Sequence, residues 1–334
     1  VPNHILALEK ESIALMQRGK DTFDSILSLS EARIVTDNLH KKSIESGHKD
    51  GLNAGQREAI EVMLTANDRI YAWQGVAGAG KSFSLGSASK IATEKGYIVR
   101  GFAPAAEAAK NLAAEAKLSE AHTVASLLVK ETSGGRAKGK EIWIVDEAGL
   151  LSAADAHALL KKAEIENARV LLVGDTRQLS SVGAGNPFKQ LQSYGMKTAQ
   201  LTQGVRQLDD TMKNSINLIA ANEHRKGLEI LDQSGKVFEI KNSDEIILNM
   251  AKDYLSLSQK DLKESLFISS TNHEKEEITN IVRAELKSRG ELQGTIKTNS
   301  YVSLDYNEHA LKSAHVYSVG DVLIPNRRSQ GLKS

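Results

Sequence analysis

The sequence predicts an α/β protein built on a parallel sheet, and three stretches carry that prediction. Gly75-Val76-Ala77-Gly78-Ala79-Gly80-Lys81-Ser82 follows the short apolar run Arg69 to Gln74 and opens a helical pattern with Leu85, Ala88, Ile91 and Ala92 on one face, which Gly96 ends. Glu141 to Glu147 and Arg169 to Asp175 each contain an unbroken run of large apolar residues, Ile142 to Val145 and Val170 to Val173. Such runs suit strands covered on both faces, as in parallel sheets.

The glycine-rich stretch has a specific physical reading. Glycines at 75, 78 and 80 allow a sharp turn that aims several N–H groups at one anion, and the positive end of the following helix faces the same point. In that geometry Lys81 reaches the β- and γ-phosphates of a nucleotide and the Ser82 hydroxyl ligands a magnesium ion. A turn that only joins strand to helix is the bland alternative. The strand before and the helix after favour nucleotide binding, although the motif does not choose the nucleotide.

Composition bounds the rest. With 334 residues the chain supports a large core and suggests two domains. Lys+Arg 43 against Asp+Glu 42 leaves almost no net charge, so any basic groove for nucleic acid must be local. The absence of cysteine excludes disulfides and cysteine-ligated zinc. No run of about 18 apolar residues exists and the N-terminus lacks a secretion pattern, so the expectation is a cytoplasmic protein without membrane insertion. Valine at position 1 suggests a piece of a longer chain.

In chain order, Ile5, Leu8, Ile13, Leu15 and Met16 give an approximately helical stripe, and Glu31 to His40 fit another helix. Residues 1–50 therefore read as a helical lead-in, or equally as a connector. Asn53-Ala54-Gly55-Gln56 fits a capping box; the sharper alternative is that the two-sided amide of Gln56 recognises adenine. Tyr97 to Phe102 reads as a strand, followed by Ala103-Pro104-Ala105 and an alanine-rich helix to about Ala116. Ala121 to Leu128 reads as a loop entering a short helix, and Ser133 to Lys140 as a mobile basic loop. Asp146 and Glu147 close their strand at its C-terminal end, where open α/β sheets bind ligands. There Asp146 is placed to hold magnesium through its water shell, and Glu147 to orient and deprotonate the attacking water. Gln178 follows the next strand, where it could contact the γ-phosphate and the hydrolytic water. A helix near Asn186 to Tyr194 and a strand over Lys197 to Leu201 lead to Arg206. That residue is either an ordinary surface arginine or neutralises charge on a transferred phosphoryl group.

Taken together, Gln56, GVAGAGKS, APAAEAA, AHTVASLL, IVDEAG, VGDTRQL and TQGVRQ resemble the motifs of superfamily 1 helicases of the RecD-like branch. The run from Gly51 to Gln207 resembles more closely the helicase region of TraI/TrwC-type (MobF) conjugative relaxases. The resemblance implies a RecA-like P-loop NTPase domain over 51–207, preceded by the lead-in of 1–50 and followed over 208–334 by a partial second RecA-like domain. Within 208–334, Lys236 to Ile240, Ser265 to Ser270 and the Thr271-Asn272 helix resemble that domain's start, and Tyr317 to Ile324 the first strand of a small inserted barrel. By motif match, Gln56 contacts adenine, Gly75, Gly78, Gly80 and Lys81 hold the phosphates of ATP, and Ser82 and Asp146 serve Mg2+. Glu147 is then the catalytic base, Gln178 couples hydrolysis to DNA, and Arg206 touches the γ-phosphate. Pro104, Ala105, His122 and Thr123 lie where such helicases touch single-stranded DNA.

The same resemblance implies an ATP-dependent translocase moving 5′ to 3′ in plasmid transfer, located in the donor cell and carried into the recipient. The family's later motifs and its nicking domain have no counterpart here, so the expectation is a segment that binds ATP but hydrolyses and unwinds weakly alone. A rival from another class is a binding module that carries a type IV secretion signal for a coupling protein, its ATP site idle. A P-loop GTPase or small-molecule kinase fits less well, because no N-K-x-D guanine motif appears.

Overall fold

The computed structural model describes residues 3–47, 50–76, 78–131, 140–178, 183–202, 204, 209–294 and 316–322. The chain divides into two units, Val1–Val237 and Phe238–Ser334.

The first unit opens with helices α1 (Asn3–Arg18), α2 (Leu29–Glu45) and α3 (Ala54–Thr65). Strand β1 (Ile70–Gly75), α4 (Lys81–Glu94), β2 (Ile98–Ala103), α5 (Ala106–Glu115), β3 (Ala121–Thr123) and α6 (Val124–Val129) follow. The series closes with β4 (Glu141–Val145), a 3-10 turn (Ala148–Leu150), α7 (Ala153–Glu166), β5 (Arg169–Gly174), α8 (Pro187–Ser193), β6 (Thr198–Leu201), α9 (Asp210–Ala220) and α10 (His224–Gln233). The strands form one sheet in the order β3-β2-β4-β5-β1-β6, parallel at each neighbouring pair. All residues of β1, β4 and β5 are buried, which matches their unbroken apolar runs.

The period of two along each strand sorts these side chains into two cores. Tyr71, Trp73, Ile142, Ile144, Leu171 and Val173 pack on one face with Ile60, Met63 and Leu64 of α3 and Leu85 of α4. Ile70, Ala72, Trp143, Val145, Val170 and Leu172 pack on the other with Leu159 and Leu160 of α7 and Leu191 of α8. The sheet is thus the middle layer of a three-layer α/β/α body, a RecA-like P-loop fold.

The lead-in is part of that body. Leu15 and Met16 of α1 join the core against α7 and α8, while Leu27 and Ala32 join the opposite core beside α3. The connecting residues pass beneath the sheet. Arg69 N–H donates to Gly19 O at 2.7 Å, Phe23 N–H to Asn67 O at 2.9 Å and Leu27 N–H to Leu64 O at 2.9 Å. Arg169, 1 % exposed, closes this strap from inside. Its guanidinium donates to the carbonyls of Ala66 (3.0 Å) and Asp24 and lies 4.8 Å from the Phe23 ring centre and 5.4 Å from that of Tyr97. Bonds from both terminal nitrogens and aromatic rings beside the guanidinium offset the cost of burying this arginine, while its Nε has no hydrogen-bond partner among the described residues. Two capping boxes, Ser28 with Glu31 and Asn53 with Gln56, start α2 and α3.

Two expectations change. Ala121 to Thr123, expected as loop, forms the parallel edge strand β3 on β2; its pairing is set by the neighbouring strand, with no alternation of its own to signal it. In the second unit, α11 (Ser243–Ser256), α12 (Gln259–Glu264) and α13 (Asn272–Ser288) form, with Ile247, Ala251 and Val282 buried. Residues 236–240 and 265–270 carry no regular secondary structure, and neither do 317–318 and 321–322, where a barrel strand was expected. An extended segment becomes a strand only with a neighbour to take its backbone hydrogen bonds, and no described residue after 237 supplies one. The basic loop 133–140 lies outside the described residues apart from Lys140.

Candidate nucleotide site

The C-terminal ends of β1, β4 and β5 meet in an open cavity of about 1000 Å³. The loop after β1 contributes Gly78, Ala79, Gly80, Lys81 and Ser82, the turn after β4 contributes Asp146, Glu147, Gly149 and Leu150, and the turn after β5 contributes Gly174, Asp175, Arg177 and Gln178. Residues separated by about a hundred positions in the chain converge because their strands are parallel and neighbouring.

The glycines do different jobs. Gly78 and Gly80 adopt φ of +73° and +76°, the left-handed region that glycine enters without steric cost. Gly75 has no such conformation; a Cβ there would sit 2.8 Å from Lys81 Cδ, so its role is to let the lysine stem pass. Lys81 begins α4, and its ammonium donates to Gly75 O at 2.8 Å and Val76 O at 3.4 Å. The positive end of α4 therefore opens into the cavity with a lysine laid across its mouth.

Asp146 is half-buried, and its N–H donates to Phe102 O at 2.9 Å, which ties the carboxylate turn to the end of β2. Burial pushes its carboxyl above the ordinary aspartate range, opposed by the Glu147 N–H, which donates to Asp146 Oδ1 at 2.9 Å, and by the Lys81 charge. Glu147 is also raised, first by desolvation and then by Asp146, with Lys81 opposing. Glu147 stands at φ +52°, ψ +37°, a left-handed conformation costing a non-glycine residue about 1–3 kcal/mol. That turn lifts its carboxyl out of the strand line and into the cavity. The Ser82 hydroxyl donates to the carboxylate of Glu115, the last residue of α5, which also lines the cavity.

The structure brings Lys81, Ser82, Asp146, Glu147 and Gln178 together with the glycines of the loop. Gln56 stands apart from the cavity lining, on the α3 end that packs against β6. Its Oε1 accepts the Asn53 N–H at 3.0 Å, so the capping reading is realised in the fold. Arg206 lies outside the described residues. Pro104 and Ala105 follow β2, and His122 and Thr123 sit beside its end, in register with Phe102 and Ala103. The half-exposed His122 ring lies 3.5 Å from a Glu120 carboxylate oxygen, and the Thr123 hydroxyl accepts the Ser126 N–H at 3.1 Å, capping α6. Glu115 was not singled out from the sequence, being a charged residue with no motif partner at a fixed spacing, and Arg177 was given no role although it lies within VGDTRQL; the fold brings both to the cavity.

A glycine loop with a lysine at a helix start, facing carboxylates at the ends of two neighbouring strands, defines a P-loop ATPase-type domain. A family model for the AAA domain matches residues 51–242, and the chain belongs to that family. The probable conjugal transfer protein TraA of Sinorhizobium fredii is 28% identical over 240 residues, covering 72% of this chain and 21% of that protein. The ATP-dependent RecD2 DNA helicase of Deinococcus radiodurans is 35% identical over 164 residues, 48% of this chain and 22% of the relative. The chain thus spans about a fifth of the length of these relatives. Among solved structures, the Pif1 helicase from Candida albicans aligns with a TM-score of 0.40 at 18% identity, covering 51% of this chain and 44% of that one. The kinship with conjugal transfer proteins and RecD helicases read from the motifs agrees with these relatives. No helix among the described residues is long and apolar enough to cross a membrane.

Proposed function

We propose that this chain is the nucleotide-binding lobe of an ATP-driven motor on single-stranded DNA, acting in conjugative plasmid transfer. The observation that carries the reading is the convergence of Lys81, Ser82, Asp146, Glu147 and Gln178 on one cavity. The donor set fits Mg-ATP: a glycine-lined cradle at a helix start, an ammonium beside it, and a serine hydroxyl with a half-buried carboxylate for a hard cation.

In this reading Lys81 exchanges the carbonyls of Gly75 and Val76 for phosphate oxygens, while the N–H groups from Gly78 to Ser82 cradle them. Ser82 and Asp146 would hold the magnesium ion that accompanies ATP, and the ion would supply neutralisation of phosphate charge. Glu147 accepts the proton of the attacking water, Gln178 orients that water, and Arg206 adds a positive charge from outside the described residues. Gln56 has its Nε2 donor to offer an adenine ring while Oε1 keeps the cap. Pro104, Ala105, His122 and Thr123 form the DNA-facing edge. The Asp146 N–H to Phe102 O bond gives that edge a direct mechanical link to the hydrolytic turn. The conjugal transfer relatives support the setting of plasmid transfer, where a secretion coupling protein is a natural partner.

The test is ATP hydrolysis by this chain with and without single-stranded DNA. Stimulation by DNA that Lys81→Ala removes is the expected result. Tight binding to a secretion coupling protein, with neither nucleotide nor DNA bound, would replace the motor with a docking module.

A further inference from the structure

The end of β1 carries a buried amide that the nucleotide chemistry above does not use. Gln74, 8 % exposed, precedes Gly75 and stands in register with Gly174 of β5. Its Nε2 donates to Asp175 Oδ1 at 2.8 Å, and its Oε1 accepts the Thr176 N–H and the Gln192 Nε2–H, both at 3.2 Å. Asp175, 9 % exposed, in turn shapes the turn that bears Gln178: its Oδ1 accepts the Arg177 N–H at 3.1 Å, and its carbonyl accepts the Gln178 N–H at 3.2 Å.

We infer that Gln74 is a positioning residue that bolts the Gln178 turn to the phosphate loop, so that a change at the γ-phosphate moves both together. This rests on the nucleotide reading proposed above. The warrant is geometric. The backbone pairing between β1 and β5 reaches Gln74 and Gly174 and no further. Beyond that register the Gln74 side chain supplies the cross-strand hydrogen bonds between the two loops, and Gln192 of α8 braces it from the side. A buried, fully partnered polar network holds its members in one arrangement, because a partial break leaves buried donors or acceptors unsatisfied. Leucine or methionine would fill the same space at the end of an otherwise apolar strand without linking the loops.

The chemistry permits a reciprocal swap. Gln74→Glu sets a second carboxylate against Asp175 and removes the donor between them. Adding Asp175→Asn restores a donor, now pointing the other way. The carboxylate at position 74 still accepts from Thr176 and Gln192, whereas the Arg177 N–H, which shares Asp175 Oδ1 with Gln74, gives up its acceptor in the swap. The readout is hydrogen exchange of the phosphate loop and of residues 175–178, with and without Mg-ATPγS, beside the ATPγS dissociation constant. Wild type should show nucleotide protection of both segments. Gln74→Glu should protect the phosphate loop alone, with its dissociation constant within about threefold of wild type, and the double variant should recover part of the protection of the turn, because the cross-strand bond returns without the Arg177 bond. Unchanged protection of the turn in Gln74→Glu overturns the inference, as does a double variant no better than the single one, since that marks general damage. If wild type binds no nucleotide, the nucleotide reading itself falls and takes this inference with it. Binding with an indifferent Gln74 defeats the inference alone.

Discussion

Pairing Leu15→Ala with Met16→Ala on α1 tests whether the N-terminal helices are structural parts of the ATPase body. The two side chains are 2 % and 1 % exposed and face Leu159, Leu160 and Leu191 across the sheet's second core. A buried Leu or Met cut to Ala costs about 2–5 kcal/mol, the spread reflecting how far the cavity collapses. The pair therefore removes about 4–10 kcal/mol if the effects add, and adjacent sites add imperfectly. A domain's total stability is about 5–15 kcal/mol, so the double variant stands near the edge of folding. For a unit of this size each kcal/mol moves the melting temperature by about 2–4 °C, giving a drop of at least about 8 °C. The assay is thermal unfolding followed by the fluorescence of Trp73 and Trp143, which are 0 % and 3 % exposed and report on opposite faces of the sheet. Leu6→Ala, at a 43 % exposed position on the same helix, is the control and should move the midpoint by less than about 2 °C. A double variant that melts within about 3 °C of wild type would refute a structural role for α1 in this body. By the same logic, a chain beginning at Gly51, where the family match starts, should fold poorly without residues that hold both faces of the sheet.

Other perturbations probe the site. Gly75→Ala should weaken ATP binding about tenfold with a smaller effect on the melting temperature, because the new methyl presses hardest on the movable Lys81 stem, 2.8 Å away, and less closely on Leu201 Cβ at 3.3 Å; isothermal titration and a thermal melt decide it. Asp146→Asn should abolish Mg-dependent hydrolysis yet raise the melting temperature at neutral pH. The folded-state pKa of Asp146 is raised by burial, so its contribution to stability is fully present below the unfolded value of 3.8 and is lost as pH rises through the folded value. The stabilising effect of Asn should therefore vanish below pH 3.8, which melts across pH will show. Glu147 is raised as well, so the acid limb of the hydrolysis rate should fall at a pH above 4.5, and Glu147→Gln should lower kcat by about a hundredfold or more. An acid limb at or below 4.5 would contradict its assignment as the base.

The sequence made the site's core readable because its parts are local: a glycine spacing before a helix, and carboxylates ending apolar runs. Burial of Ile142 to Val145 in β4 and of Val170 to Val173 in β5 followed from those runs alone. What stayed hidden depends on partners far away in the chain. An arginine at a strand start ordinarily reads as exposed, yet Arg169 is among the most buried residues because Phe23 and Tyr97 and the carbonyls of Asp24 and Ala66 meet it there. The strap over residues 19–27 escaped notice for the same reason, since its hydrogen bonds run to the chain between α3 and β1. Gln74 looked like one more residue of a strand until β5 placed Asp175 beside it. Strand β3 has three residues and no alternation, and only its register with β2 makes it a strand. Glu147's left-handed turn is likewise invisible in sequence, because glutamate carries no preference for it.

The central claim is that the cavity at the ends of β1, β4 and β5 takes Mg-ATP. Its most direct measurement is equilibrium titration of a fluorescent ATP analogue into this chain with and without magnesium, against Lys81→Ala. Saturable, magnesium-dependent binding that Lys81→Ala weakens by at least about a hundredfold, or about 2.7 kcal/mol, is the predicted result. Equal binding by the two proteins, or none by either, would contradict it.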